Sequence, residues 1–302
     1  MDLSSSSLVN TLQKAAGMLD ASHADLKTQI LCQCDRITQP TLRIVVFGPF
    51  NYGKSTLLNA LLGEKTLPID LVPTTGAAIT VSYGTALASR ISLVDGTTLE
   101  EPGTELLKRY AILDEQRCMR QDVINIEVRC PHPFLQSGVE LVDLPGTDDR
   151  DAQNELVHTK LLEADAVIQL LDGRKLMTLA EREHLRDWLL DRGITTVTLP
   201  EGVSNLYAVD ALPALRARLQ GNMAAATQAG LPALESALQT LVQERLPQVT
   251  NHRLPRLLPL VAEVQQILQQ QLQSLETAPP VEPPRRVKIQ QRAQDLLQTG
   301  FQ

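Results

Sequence analysis

The chain has 302 residues, 43% of them apolar and 21% charged, with a formal net charge of -7. That length holds one large domain or one domain with a smaller appendage, with apolar residues enough for a packed core, and the acidic balance argues against a nucleic-acid partner. Cys32, Cys34, Cys118 and Cys130 show neither metal-ligand nor disulfide spacing, no apolar run is long enough to span a bilayer, and no signal-peptide pattern opens the chain, so a cytoplasmic location is expected.

Ser4–Ser7 form a polar start able to cap a helix. Leu8, Leu12, Ala15, Leu19, Leu26 and Ile30 then recur at helical steps, which predicts an amphipathic helix with a weak turn at Ser22-His23 that ends before Gln39-Pro40. Leu42–Phe47 reads as a buried strand and Thr56–Gly63 as a helix closed by glycine. Further strands are expected at Ala78–Tyr83, Arg90–Val94, Val123–Arg129, Val139–Val142 and Ala166–Leu171. Helices are expected at Thr104–Ile112, Asn154–Ala164, Leu179–Asp191 (with Trp188 in the core) and Ala211–Gln220. Alternating strands and helices predict an α/β doubly wound sheet. After Val249 the composition changes. Leu257, Val261, Val264, Leu268, Leu272 and Leu275 predict a long helix of coiled-coil character. A joint containing Pro279, Pro280, Pro283 and Pro284 and a shorter helix over Arg286–Leu297 follow. The helical stripes before and after the α/β unit are expected to pack as a bundle, dividing the chain at 1–39, 40–248 and 249–302.

Between the first strand and its helix lies Gly48-Pro49-Phe50-Asn51-Tyr52-Gly53-Lys54-Ser55, a G-x-x-x-x-G-K-S phosphate-binding loop. A loop between a strand end and a helix start gathers unpaired N–H groups around a hollow that takes polyanions. Gly48 and Gly53 let the backbone curl close to phosphate, Lys54 adds a point charge, and Ser55 offers a hydroxyl to Mg²⁺. The run Val139–Val142 ends in Asp143-Leu144-Pro145-Gly146, the D-x-x-G pattern. Its carboxylate can hold Mg²⁺ through water, and its glycine can present an N–H to a γ-phosphate. Thr147–Asp151 follows where a switch segment would lie. Between the motifs, Pro73-Thr74-Thr75-Gly76 offers a hydroxyl for Mg²⁺, with Thr75 preferred over Thr74. None of the five histidines stands at metal-ligand spacing.

The stretches GPFNYGKSTLLNALLG, LPIDLVPTTGAAIT and GVELVDLPG together resemble the dynamin superfamily, specifically its bacterial dynamin-like branch. The resemblance covers nearly the whole chain. It implies a P-loop GTPase head with an appended helical neck, or bundle-signalling, element. It further implies GTP and GDP as ligands, Mg²⁺ as cofactor, a homodimer through the G domains, and membrane remodelling in a complete protein peripheral to membranes. Lipid contact would come through regions absent from this chain. On this reading Gly48, Asn51, Tyr52, Gly53, Lys54, Ser55, Thr56, Asp143, Gly146 and Asp210 bind nucleotide. Lys54, Thr75 and Asn51 serve hydrolysis, and Ser55, Thr75 and, through water, Asp143 hold the metal.

Three departures qualify the resemblance. Phe50 stands where eukaryotic dynamins carry a water-positioning glutamine. Asn51 stands where cation-activated GTPases carry an asparagine, so it either caps the loop or helps bind K⁺ or Na⁺. No [TN]-K-x-D base-reading motif follows Thr195–Leu199. The chain instead runs through Pro200–Asn205 into the strand-like Leu206–Val209, a link too short for a parallel crossover. Either the two runs are not parallel neighbours or a segment is absent there, the latter being expected, and Val209-Asp210-Ala211 resembles the last base-side motif. Arg150, Arg174 and Lys175 are loop charges, either solvated or set to meet a partner head. Two other readings stay open: a nucleotide-gated scaffold with little hydrolysis, favoured by Phe50, and a ribosome- or tRNA-associated GTPase, disfavoured by the acidic balance.

Overall fold

The computed structural model describes residues 3–39, 41–69, 77–111, 120, 122–146, 151–175, 178–183, 186, 206–277 and 294. The chain divides into two compact units, Met1–Pro40 with Pro247–Gln302, and Thr41–Leu246. Helices α1 (Leu3–Ala16) and α2 (Ala24–Thr38) open the first unit. The sequence pattern predicts one helix with a weak turn, but the chain reverses completely over 17–23. The Asp20 carboxylate accepts from the Ser22 N–H at 3.1 Å and caps a single 3₁₀ turn, Ala21–His23, so the second helix runs back along the first. Cys34 Sγ accordingly lies 3.9 Å from the Val9 carbonyl. The serines expected to cap α1 lie inside it, and the Ser7 carbonyl accepts from the Thr11 hydroxyl at 2.9 Å.

The second unit is a seven-stranded sheet in the order β4-β3-β5-β2-β6-β1-β7. Its strands are β1 (Leu42–Phe47), β2 (Ile79–Tyr83), β3 (Ala88–Leu93), β4 (Thr98–Pro102), β5 (Val123–Cys130), β6 (Val139–Asp143) and β7 (Ala166–Gln169). The α/β architecture is as expected, but the sheet is mixed. β1 lies parallel between β6 and β7, while β2 meets β6 antiparallel and β5 parallel. Strand β4, unforeseen in the sequence, pairs antiparallel with β3 across the Asp95-Gly96 turn, where Gly96 takes a φ of 87°.

Helix α3 (Lys54–Leu62) leaves the loop after β1 and is buried at every residue but Ser55. Buried Asn59 holds the chain beyond it, donating to the Leu67 carbonyl at 2.8 Å and accepting from the N–H groups of Thr66 and Leu67. Helices α4 (Glu105–Tyr110), α5 (Pro133–Gln136), α6 (Asp151–Leu162) and α7 (Leu179–Glu183) follow. Trp188 and the rest of the helix expected to reach Asp191 lie outside the described residues. Val45, Phe47, Val142, Leu144, Val157, Leu161 and Ala164 form one shared core cluster of this unit.

Residues 206–210 form no strand, contrary to the sequence expectation. The Asp210 N–H donates to the Ala229 carbonyl at 2.9 Å, and the Ala208 carbonyl lies where a Cβ on Gly230 would meet it at 2.1 Å. The run is therefore held by the turn between α9 (Met223–Gln228) and α10 (Leu231–Arg245), two helices the sequence reading passed over; α8 (Ala211–Leu219) precedes them and packs on α3.

The chain then returns to the first unit through α11 (Val249–Arg253) and α12 (Leu258–Thr277). Leu257, Leu260, Val264 and Leu268 join Leu12, Ile30, Cys34 and Ile37 in one buried core. The expected seam is thus largely present, with Leu260 buried where Val261 was expected and Val261 only partly covered. Buried Arg253 donates to the carbonyls of Arg36 and Gln39 at the end of α2. The shorter helix expected at Arg286–Leu297 lies outside the described residues except for 294.

Candidate functional site

β1 ends at Phe47, and the chain must turn at once into α3. Gly48 takes a φ of 151°, and a Cβ there would meet the Leu170 carbonyl at 2.9 Å. The end of β7 is tied to this spot because the Leu170 N–H donates to the Phe47 carbonyl at 2.9 Å. Asn51, with a φ of 64°, is the one non-glycine residue in the left-handed region among those described. Gly53, with a φ of 83°, delivers the chain into α3 with Lys54 as the first helical residue.

Lys54 is only 7% exposed, and its Nζ donates to the carbonyls of Gly48 and Pro49 at 3.0 Å each. The ammonium is thus held beneath the curl of its own loop. Ser55, one residue on, donates its hydroxyl to Asp143 Oδ2 at 2.6 Å. Asp143 ends β6 and pairs in register with Val46 of β1 and Ile79 of β2. Its carboxyl is completely buried, and burial pushes its pKa up to about 6 against the opposing pull of the Ser55 hydroxyl and Lys54. Asp143 Oδ1 has no hydrogen-bond partner. A buried, unanswered carboxylate oxygen beside a serine hydroxyl is a hard-oxygen donor set suited to a divalent cation. Among the described residues no group of three or more His, Cys, Asp or Glu is placed to hold a metal by itself.

Gly146 closes the site from the other side. A Cβ on it would come within 2.8 Å of Phe50 Cα and 2.9 Å of Phe50 N, so the turn after β6 rests directly on the loop backbone. Helix α8 approaches as well: a Cβ on Gly53 would lie 3.8 Å from Ala211 Cβ. Asp210 precedes that helix and makes no side-chain capping bond with it.

The structure brings together Gly48, Gly53, Lys54, Ser55, Asp143 and Gly146, with Asn51 exposed on the loop and Thr56 buried in the first turn of α3. Thr74, Thr75 and residues 147–150 lie outside the described residues, so the expected second Mg²⁺ hydroxyl and the start of the switch segment have no structural account. The sequence reading missed Leu170, which walls the loop at Gly48, and the Lys175 ammonium 6.0 Å from the centre of the Tyr52 ring. No local pattern announces either contact, because both depend on β7 lying next to β1 in the sheet.

Residues 44–200 match the Dynamin family profile. Over 206 residues the chain is 30% identical to a bacterial dynamin-like protein of Nostoc punctiforme, covering 64% of this chain and 30% of that protein. It is 26% identical over 202 residues to dynamin-like protein 1 of Campylobacter jejuni, covering 55% of this chain and 28% of the relative. The chain therefore spans less than a third of the length of these relatives. A solved structure described as an oligomerised bacterial dynamin pair, offered as a mechanism for long-range sensing and tethering of membranes, shares the fold. Its TM-score is 0.55 at 18% identity, over 96% of this chain and 49% of that one. No described helix is long and apolar enough to cross a membrane. With the profile spanning just over half of its length, the chain belongs to the dynamin family.

Proposed function

We propose that this chain is the Mg²⁺-dependent, GTP-hydrolysing head of a bacterial dynamin-like protein, with residues 40–248 as the GTPase domain and 1–39 and 249–302 as its neck. The observation that carries the proposal is the Ser55–Asp143 contact at the ends of neighbouring parallel strands, with Asp143 Oδ1 buried and unpartnered beside a phosphate-binding loop.

The N–H groups of 48–55 and the start of α3 form the polyphosphate cradle. Lys54 exchanges its Gly48 and Pro49 carbonyls for phosphate oxygens, an inexpensive exchange because the ammonium is already desolvated there. Ser55 and Thr75 are the residues that would hold Mg²⁺, with Asp143 behind them. A magnesium ion held there would supply a counter-charge to the transferred phosphate. Asp143, raised to about 6, would hold the ion as a carboxylate, its main form at neutral pH, and would have to give up a proton first only in more acidic solution. The Gly146 N–H reports on the γ-phosphate, and its turn sits directly against Phe50 of the loop. Phe50 has no polar group with which to orient water, which leaves that task to the backbone and Thr75. Asn51 is the residue placed to help hold a K⁺ or Na⁺ ion, and Asp210 the residue placed on the base side.

Dimerisation through the GTPase heads, and membrane remodelling or tethering in the longer protein, extend this reading from the named relatives. The test is GTP turnover at increasing protein concentration in Mg²⁺, for the wild type and Lys54→Ala. A specific rate that rises with concentration and vanishes in Lys54→Ala supports the proposal; wild-type turnover in Lys54→Ala removes it. A second reading, a nucleotide-gated scaffold, draws on Phe50 and predicts binding with a flat, negligible rate.

A further inference from the structure

Beside the phosphate-binding loop runs the segment after β7, and its charges are not balanced. Leu170 is anchored to Phe47, and Asp172 begins a turn closed by the Lys175 N–H on the Asp172 carbonyl at 3.0 Å. The Asp172 carboxylate accepts from Arg174 Nε at 2.9 Å, Arg174 Nη2 at 3.0 Å and the Arg174 backbone N–H at 3.0 Å. These bonds hold its pKa down to about 2, so it is a full anion at any working pH. Lys175 Nζ stands farther off, 3.9 Å from Asp172 Oδ2. One carboxylate thus answers two cations within this turn. Lys175 lies instead toward Tyr52, which sits in the loop between Asn51 and Gly53, with its ammonium 6.0 Å from the ring centre. An aromatic face at that distance attracts a cation and restrains an otherwise mobile lysine.

We propose that Lys175, restrained by the Tyr52 ring and the Asp172 carboxylate, is a charge-positioning residue that draws the nucleotide polyphosphate into the cradle from outside the eight-residue loop. The proposal rests on the nucleotide-binding reading above. A positive charge at the rim of a site that takes a polyanion raises the association rate and makes it depend on salt. Because the charge lies on the rim, it acts on the ligand's net charge and does not read the γ-phosphate itself. Arg174 is committed to Asp172 by paired bonds, so it contributes less.

Stopped-flow association of fluorescent GDP with the full chain in Mg²⁺, at low and high salt, tests this. The proteins are the wild type, Lys175→Gln, and Lys175→Gln made in Tyr52→Phe and in Tyr52→Leu backgrounds. The expected loss for Lys175→Gln is about two- to fivefold in association rate at low salt, shrinking as salt rises. That loss persists in the Tyr52→Phe background, which keeps an aromatic face, and is reduced in the Tyr52→Leu background. An unchanged rate and salt slope in Lys175→Gln overturns the proposal, as does an equal loss in both Tyr52 backgrounds. Normal binding with slowed, concentration-dependent GTP turnover also overturns it, in favour of a contact with a second copy of the chain. If the wild type binds no nucleotide, the underlying reading fails first; if it binds and Lys175→Gln matches it, only this inference fails.

Discussion

Strands β1 and β6 run side by side, and the two ends of the pair treat charge in opposite ways. Where the strands begin, Arg43 reaches Glu140 through Nη2 at 2.8 Å and Nε at 3.0 Å and Glu163 through Nη1 at 3.2 Å, while its backbone N–H donates to Asp165 at 2.9 Å. Where they end, Asp143 is fully buried with one oxygen unanswered, and the adjoining loop carries left-handed backbone at Asn51 and Gly53. The same two strands flank both sites, so apolar burial does not distinguish them. At one end the polar groups are answered from within the chain and add to stability. At the other, one buried carboxylate oxygen is left without a partner, and the cost is carried by the rest of the fold.

Substitutions at the two ends are therefore expected to change stability in opposite directions. The largest effect is expected at the paired end. Arg43→Met strands the mostly covered Glu140 and leaves Glu163 only its Lys160 partner, and is expected to cost about 2–3 kcal/mol in urea unfolding, less than a fully buried pair would cost. At the other end, Asp143→Asn removes a buried charge while keeping an oxygen for the Ser55 hydroxyl. It is expected to stabilise the nucleotide-free protein at neutral pH by about 1–2 kcal/mol while removing the benefit of Mg²⁺ for nucleotide binding. A loss of stability in that variant would break the comparison.

The pH dependence sharpens it. Asp143 has a pKa of about 6 in the fold against an ordinary 3.8, so between these values the folded chain holds a proton that the unfolded chain releases. The penalty for the buried charge is therefore absent below the unfolded value and grows as pH rises through the folded one. From this group the nucleotide-free protein is expected to gain stability as pH falls from about 6 toward 4. Over the same interval Mg²⁺-dependent nucleotide affinity should weaken, by up to about tenfold per unit, because the proton must leave. Asp172, at about 2, titrates below this window. Asp143→Asn should flatten both trends, which thermal melts and binding titrations across the interval can read. The smallest effect is expected at Phe50. Replacing it with glutamine supplies the missing water-orienting amide and should raise GTP turnover by roughly severalfold with little change in binding. Unchanged turnover would place water positioning elsewhere.

Much of this was legible in the sequence where a residue's role is set by its neighbours along the chain. Gly48, Gly53, Lys54 and Ser55 stand at fixed spacing between a strand and a helix start, and Asp143 and Gly146 at fixed spacing after a strand, so their placement followed directly. Strand β4 was not legible from periodicity, since Thr98–Pro102 is polar and ends in proline. The Asp95-Gly96 pair was its one signal. Helix α10 was readable from the spacing of Leu231, Leu234, Leu238 and Val242, all of which are buried, although Gly230 and Pro232 at its start are residues that also form turns. Leu206–Val209 has strand composition, yet its neighbours are the turn at Ala229 and Gly230 rather than another strand. Leu170 and Lys175 could not be placed in the site from sequence because strand order, which local pattern does not encode, puts β7 against β1.

The central claim is that Lys54, Ser55 and Asp143 hold a guanosine triphosphate together with Mg²⁺. Calorimetric titration of the wild-type chain with a non-hydrolysable GTP analogue at neutral pH, with and without Mg²⁺, tests it most directly. The account predicts one nucleotide per chain and clearly tighter binding when Mg²⁺ is present. A well-folded sample that gives no heat of binding, or binds equally well without the ion, would contradict it.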